Sequence, residues 1–242
     1  MNQTAPKYML ALAVIGLLAF LYYKSSSVDA KQHLHVTSQL RQLHQLDESL
    51  GQYVLRARIG MLMNYDPLVQ TQQHIDELVN DLKTSHLELF DQDGGKLSLS
   101  FEEYRQTYAE KAALIENFKS QNSVLRNSSH YFPIAVQNLL EGPGHLRDGD
   151  PLEVEVRDKL LQDIMVYQTN PSDALLHSSL ESRSKIAMRM ESYPPHQRKQ
   201  LESLVVHTAI LVAYKEEIDR TMAKLFSLPT AERLDQMFNL YN

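Results

Sequence analysis

Apolar side chains recur at three- and four-residue steps along most of the chain, which is the period of one buried face of an α-helix. In residues 29–64 the recurring positions are Leu40, Leu43, Leu50, Val54, Ala57 and Met61. Only Asp47 interrupts this apolar stripe. The same period continues through residues 67–89, 100–141 and 196–226, so the pattern predicts an all-α fold of long amphipathic helices.

Turn residues separate these predicted helices. Asn64-Tyr65-Asp66 is expected to end the first helix, and Asp66 to cap the second with Pro67 at its first position. Ser100-Phe-Glu-Glu103 has the form of a capping box and predicts the start of the third helix.

Two later sites repeat the cap-and-proline arrangement, Asp150-Pro151 and Asn170-Pro171. Pro229 is expected to start the last helix. The clearest internal break is Gly142-Pro143-Gly144. We therefore expect two tandem antiparallel helical-bundle modules, one at 29–141 and one at 142–242.

Composition excludes several classes of function but does not assign one. The net charge of −6, without a basic face, argues against a nucleic-acid partner. The absence of cysteine removes disulfides, thiolate metal sites and cysteine catalysis. No histidine pair has i, i+4 spacing, and no nucleophile elbow or phosphate-binding glycine loop occurs. We therefore expect no catalytic residues, no metal site and no cofactor.

The uncharged run at residues 8–24 predicts a transmembrane anchor. Tyr8 and Tyr23 would lie at the two membrane interfaces, with residues 1–7 in the cytoplasm and the chain from residue 29 in the periplasm. A cleavable signal peptide, cut after Ala30, is the alternative. We favour the anchor because Lys24 and three serines separate the apolar run from that cut.

Two segments resemble a known family. Arg56-Ala-Arg58-Ile-Gly60, followed by Asn64-Tyr-Asp-Pro-Leu-Val69, is similar to a signature of the double all-helical ligand-binding (DAHL) sensory domains. The segment 122–128, followed by Tyr131-Phe-Pro133, is similar to the same family. The resemblance implies an extracytoplasmic ligand-sensing input domain of a bacterial inner-membrane signalling receptor. A histidine kinase or nucleotide cyclase would be its output domain, and that domain is not in these residues.

Four polar or aromatic residues form the predicted ligand-binding site. Tyr53 and Arg56 share one helical face, which Gly60 would leave open, and Asn122 and Arg126 share another. If antiparallel packing brought the two faces together, they would bind a small polar or anionic ligand. The alternative is structural: the arginines pair with nearby acids, and Asn122 joins an interhelical hydrogen-bond network.

A different class of function stays open at this stage. The chain could be a membrane-tethered helical scaffold or adaptor that binds another envelope protein. No apolar run after residue 200 is long enough for a second membrane helix, so we expect a receptor fragment. A reading frame that continues downstream into a hydrophobic segment would favour the receptor, and a gene end would favour the adaptor. A homodimer is compatible with either function.

Overall fold

The computed structural model describes residues 32–84 and 95–241, and of residues 5–31 and 85 only the helical backbone. The prediction of an all-α chain is confirmed, because the described residues contain helices and turns and no strand. The helices are α1 Ala5–Arg58, α2 Asp66–Ser85, α3 Lys96–Glu141, α4 Pro151–Val154, α5 Leu161–Thr169, α6 Asp173–Arg189, α7 Pro195–Ser227 and α8 Thr230–Tyr241. A π-helical segment, Glu155–Leu160, joins α4 to α5, and a 3₁₀ turn, Met190–Ser192, follows α6.

The chain forms two compact units, and the long helix α3 belongs to both. Unit 1 comprises residues 1–109 and 229–242, and contains α1, α2, the first part of α3, and α8. Its core is built from the predicted stripes: Leu43, Leu50, Val54, Leu68 and Ile75 are all fully buried. Antiparallel helices therefore bury their apolar faces against one another, as in a helical bundle.

Unit 2 comprises residues 110–228: the rest of α3, α4 with the π-helical segment and α5, α6 and α7. Its apolar core includes Ile115, Phe118 and Phe132 from α3. Side-chain hydrogen bonds tie its helices together, including Gln168 to the Leu211 carbonyl and Arg183 to the Val205 carbonyl.

The division between units differs from the predicted modules 29–141 and 142–242. It lies inside α3, between Ala109 and Glu110, rather than at Gly142. The chain then returns to unit 1 at Pro229, because α8 packs against α1. Because α3 runs unbroken to Glu141, with Pro133 inside it, its first part packs in the core of unit 1 and its second part in the core of unit 2.

The predicted end of the first helix at Asn64 is wrong, since α1 ends at Arg58. Gly60 has a φ of +78°, its N–H donates to the Ala57 carbonyl, and the Met61 N–H donates to the Arg56 carbonyl. This pair of bonds is a Schellman motif, which satisfies the last carbonyls and favours glycine. Met61 is consequently exposed instead of continuing the buried stripe.

Two other predicted helix starts also shift. The capping box at Ser100 is wrong: α3 begins at Lys96, because an earlier start buries Leu97 and adds the bond from the Leu99 N–H to the Gly95 carbonyl. At the start of α2, the Tyr65 carbonyl accepts from the Val69 N–H, so Asp66 is the first helical residue rather than the cap.

Of the two later cap-and-proline sites, one is confirmed. Asp150 accepts from the Leu152 N–H at 2.8 Å and Pro151 begins α4. At the second, Ser172 caps α6 by accepting from the Leu175 N–H, so Asn170 is the C-cap of α5 rather than the N-cap of α6.

Within the described part of the chain, no helix is both long and apolar enough to cross a membrane. The side chains of the predicted anchor, residues 8–24, lie outside the described part of the chain, so the anchor stays a prediction. The predicted end of α2 near Leu89 lies outside the described residues as well.

Candidate functional site

The core of unit 1 contains a buried carboxylate. Asp47, which interrupts the apolar stripe of α1, is only 5% exposed. The hydroxyl of Thr230, at the start of α8, donates a 2.8 Å hydrogen bond to the Asp47 carboxylate. This bond joins the first and last helices of unit 1, and it gives a buried charge one of the partners that it needs.

The Tyr104 hydroxyl, on α3, lies in the same core. Its side chain is fully buried, and the hydroxyl makes no hydrogen bond. Burial, followed by the charge of Asp47, raises the pKa of the Tyr104 phenol well above its usual range. An unsatisfied buried donor costs about 1–3 kcal/mol. We call Asp47, Tyr104 and Thr230 the unit 1 polar cluster.

A neighbouring tyrosine, Tyr108, differs from Tyr104 because its hydroxyl makes a hydrogen bond. Tyr108 lies one turn further along α3, with its ring centroid 6.1 Å from that of Tyr104. Its hydroxyl donates to the Gln72 carbonyl on α2 at 3.3 Å. Burial, and then the charge of Asp76, raise its pKa also. Two stacked tyrosines of one helix thus differ in that only Tyr108 has an acceptor for its hydroxyl.

Unit 2 has its own polar core, centred on Gln121 of α3. The Gln121 amide donates to the Glu217 carboxylate at 2.7 Å and accepts from the Thr221 hydroxyl at 3.2 Å, both on α7. Gln121 is 5% exposed, so these bonds lie in the interior. They bind α3 to α7 through a residue that the sequence pattern did not single out.

The predicted residues Asn122 and Arg126 follow on the same helix. Asn122 is fully buried and Arg126 is half-buried one turn later, so both belong to the interior-facing part of α3 in unit 2. Tyr53 and Arg56 belong to α1 in unit 1, where Tyr53 is half-buried and Arg56 is exposed. The site formed by all four residues stays a prediction.

The role predicted for Gly60 in that site is wrong. Gly60 does not continue the face of Tyr53 and Arg56, because it lies beyond the last residue of α1. Its left-handed backbone ends the helix instead.

His207 is a structural residue of unit 2, as its place on an apolar stripe indicates. Its ring nitrogen lies 3.2 Å from the Ser128 hydroxyl, and its ring centroid lies 4.6 Å from that of Tyr131. Burial lowers the pKa of His207. Among the described residues no group of histidines and carboxylates is arranged to hold a metal ion.

The first and last helices of unit 1 run antiparallel. Along α1, Asp47 bonds Thr230, His44 approaches Asp235 at 3.8 Å, and the guanidinium of Arg41 lies over the ring of Phe238. The series ends with the His33 ring stacked on Tyr241, their centroids 5.0 Å apart. The descending order shows that α8 returns along α1 toward residue 33.

Comparison with known protein families gives one match. The family model for the DAHL domain matches residues 28–242, which is nearly the whole chain. The chain belongs to the DAHL domain family. DAHL domains are helical sensory domains rather than catalytic ones. No curated protein and no solved structure matched the chain in the corresponding comparisons.

Sequence reasoning missed most of the polar cluster in this DAHL domain. Asp47 was visible as the one break in an apolar stripe, but Tyr104 looks like an ordinary core residue. Thr230 carried no signal, because nothing in the sequence indicates that the start of α8 meets α1.

Proposed function

We propose that this DAHL domain is the extracytoplasmic ligand-sensing input domain of a bacterial inner-membrane receptor. Residues 8–24 would anchor it, and the output domain of the receptor would lie outside this sequence. The observation that carries the proposal is the family match over residues 28–242. Buried polar groups in each unit support it, because ligand sites combine an apolar lining with a few convergent polar groups.

The antiparallel pairing of α1 and α8 suggests how a signal would leave the domain. The predicted anchor is the first part of α1, and α8 returns along α1 toward that part, with Tyr241 in contact with His33. A ligand that favours one packing of unit 1 would shift α1 against α8 at this contact. The shift needs only a difference in ligand affinity between two helix arrangements.

For unit 2 we propose a small anionic or polar ligand held by Asn122 and Arg126. A guanidinium can bind a carboxylate or phosphate with two parallel hydrogen bonds, and a buried amide adds orientation. Tyr53 and Arg56 belong to unit 1, and ligand binding by them stays a sequence-based prediction that Arg56→Ala tests separately.

The binding test uses the full chain in mild detergent, with thermal unfolding followed by circular dichroism. Acetate, succinate and phosphate are the probes, at matched ionic strength. We expect at least one to raise the melting temperature of the wild type, and Arg126→Ala to abolish that rise while the domain stays folded. Arg220→Ala, which removes an exposed arginine of α7, is the matched control and should keep the response.

The signalling test exploits the absence of cysteine. A His33→Cys, Tyr241→Cys double variant would contain the only two thiols of the chain. We expect a bound ligand to change the rate of their disulfide cross-linking. A domain that responds to no small molecule, and whose cross-linking changes only when another envelope protein is added, would instead be the adaptor.

A further inference from the structure

His44 of α1 lies between two carboxylates. Its Nδ1 is 3.7 Å from Oε1 of Glu48, one turn later on the same helix. Its Nε2 is 3.8 Å from Oδ1 of Asp235 on α8. The two ring nitrogens therefore face different carboxylates, and one of these belongs to the other helix. We call these three residues the His44 bridge.

The charge of His44 decides how well this arrangement holds. A neutral imidazole has one N–H and one lone pair, so one of the two carboxylates faces the lone pair. A protonated imidazole has an N–H at both nitrogens and a positive charge, so it attracts both carboxylates. Histidine side chains take up their proton between about pH 8 and pH 5. Acidification therefore strengthens the His44 bridge.

The charged neighbours of His44 on α1 leave this direction unchanged. Arg41, one turn earlier, opposes a positive charge, but its guanidinium lies over the ring of Phe238, 5.6 Å from the centroid. Asp47, one turn later, is buried and accepts a hydrogen bond from Thr230. The two carboxylates that face the His44 nitrogens are closer to the ring than 4 Å, so their effect is the larger one.

The other helices of unit 1 present charged groups as well. Glu103 of α3 pairs with Arg233 of α8. The charge of Asp76 on α2 contributes to the raised pKa of the two stacked tyrosines of α3. Asp81 of α2 lies 3.8 Å from the Nε2 of His35 on α1, which is a second histidine facing a carboxylate of a neighbouring helix. Protonation of His35 would therefore act on the packing of α1 against α2 in the same direction.

We propose that the His44 bridge makes the pairing of α1 with α8 sensitive to pH, and that acid tightens it. His44 lies along α1 between Asp47, which holds Thr230, and His33, which stacks on Tyr241. It thus acts on the helix pair that we propose carries the signal. In the proposed extracytoplasmic location, acid would be an input beside the small ligand of unit 2, and this last step rests on the proposed function.

The exposure of the bridge limits the size of the effect. The side chain of His44 is 35% exposed and that of Asp235 is 69% exposed, so water and salt screen the attraction. Exposed ion pairs change an equilibrium constant by up to about fivefold. We therefore expect acid to bias the packing of two helices rather than to fold or unfold the domain.

A double-mutant cycle isolates the bridge. His44→Gln, Asp235→Asn and the double variant of the full chain would be unfolded with denaturant in mild detergent, at about pH 5.5 and about pH 8. We expect a coupling of about threefold in the unfolding equilibrium constant at the lower pH, and less than about 1.5-fold at the higher pH. Contributions from other histidines cancel, because all four proteins contain them.

His74→Gln is the control, because it makes the same change at an exposed histidine of α2. Combined with Asp235→Asn, it should show no coupling at either pH. Added salt should reduce the coupling between His44 and Asp235 at the lower pH.

The His33→Cys, Tyr241→Cys pair tests whether the bridge reaches the facing ends of the two helices. The rate of disulfide formation would be compared with and without His44→Gln at each pH, because the ratio cancels the ionisation of the thiols. We expect His44 to speed disulfide formation about twofold at the lower pH and to have no effect at the higher pH.

The inference is overturned if the coupling is absent at both pH values or is the same at both. A ratio of disulfide rates that does not change with pH also overturns it, because the bridge would then not act on the helix pair. Neither result depends on a ligand. If a carboxylate or phosphate still acts through Arg126, the proposed function stands and only the response to acid fails.

Discussion

The Thr230 hydroxyl donates a hydrogen bond to the Asp47 carboxylate at 2.8 Å, which joins two residues 183 positions apart in the chain. Both side chains are buried, so this contact holds the last helix of unit 1 to the first through the interior. Thr230→Val keeps the shape and removes the donor. We expect the free energy of unfolding to fall by about 1.5–3 kcal/mol, measured by chemical denaturation.

Thr84→Val is the control for that change, because Thr84 is exposed on α2 and its hydroxyl bonds only carbonyls of its own helix. Its effect should be within about 0.5 kcal/mol. If both substitutions lowered the free energy of unfolding by the same amount, the bond from Thr230 to Asp47 would not contribute to stability.

Leu50→Asp tests the register of α1. Leu50 is fully buried, so an aspartate there is a charge without solvent, and we expect a loss of several kcal/mol or failure to fold. Leu55→Asp makes the same change on the same helix at a position that is 48% exposed, and it should be nearly neutral. A melting temperature that Leu50→Asp leaves unchanged would refute the assigned face.

Gly60→Ala tests the end of α1. With φ at +78°, an alanine pays about 1–2 kcal/mol for its left-handed backbone, although no atom within 4 Å opposes the added methyl group. Gly60→Asn should lose less, because asparagine tolerates this conformation better. Denaturant midpoints of the two variants give the comparison, and an alanine variant as stable as the wild type would contradict the Schellman motif.

The lowered pKa of His207 predicts that the stability of the protein depends on pH. Burial lowers its pKa in the folded protein, so between the folded and the unfolded pKa the unfolded chain binds more protons. The contribution of His207 to the free energy of unfolding therefore falls as the pH drops below about 6.5, and it levels off below the folded pKa. At higher pH it is constant.

Denaturation of His207→Gln over the same pH range checks this prediction. The variant should lose that part of the pH dependence, whereas the matched change at the exposed His130 should keep it. A pH profile that is identical in the wild type and His207→Gln would show that His207 does not contribute.

The membrane anchor predicted at residues 8–24 is tested by fractionation and intact mass. We expect the chain to keep residues 1–30 and to sediment with the inner membrane. A mature N-terminus at Lys31 in a soluble fraction would instead support the signal peptide.

The sequence by itself determined the helices, their buried faces and the family. The apolar period alone places Leu43, Leu50, Ile75 and Phe118 in the core, because a 3.6-residue repeat fixes which side of a helix is apolar. The segment around Arg56 and Arg58 resembles the DAHL family, and the family match over residues 28–242 confirms that resemblance. Local chemistry also placed the cap at Asp150.

Only the tertiary structure decided which helices share a core and which polar groups meet there. Thr230 lies beside Asp47 because α8 returns to unit 1, and helix periodicity contains no information about which distant helix is the partner. The end of α1 at Arg58 was set by the left-handed backbone of Gly60, which competes with a stripe that would continue to Met61. That the buried Tyr104 hydroxyl makes no hydrogen bond is likewise a property of the packed interior, because the sequence does not show which groups surround it.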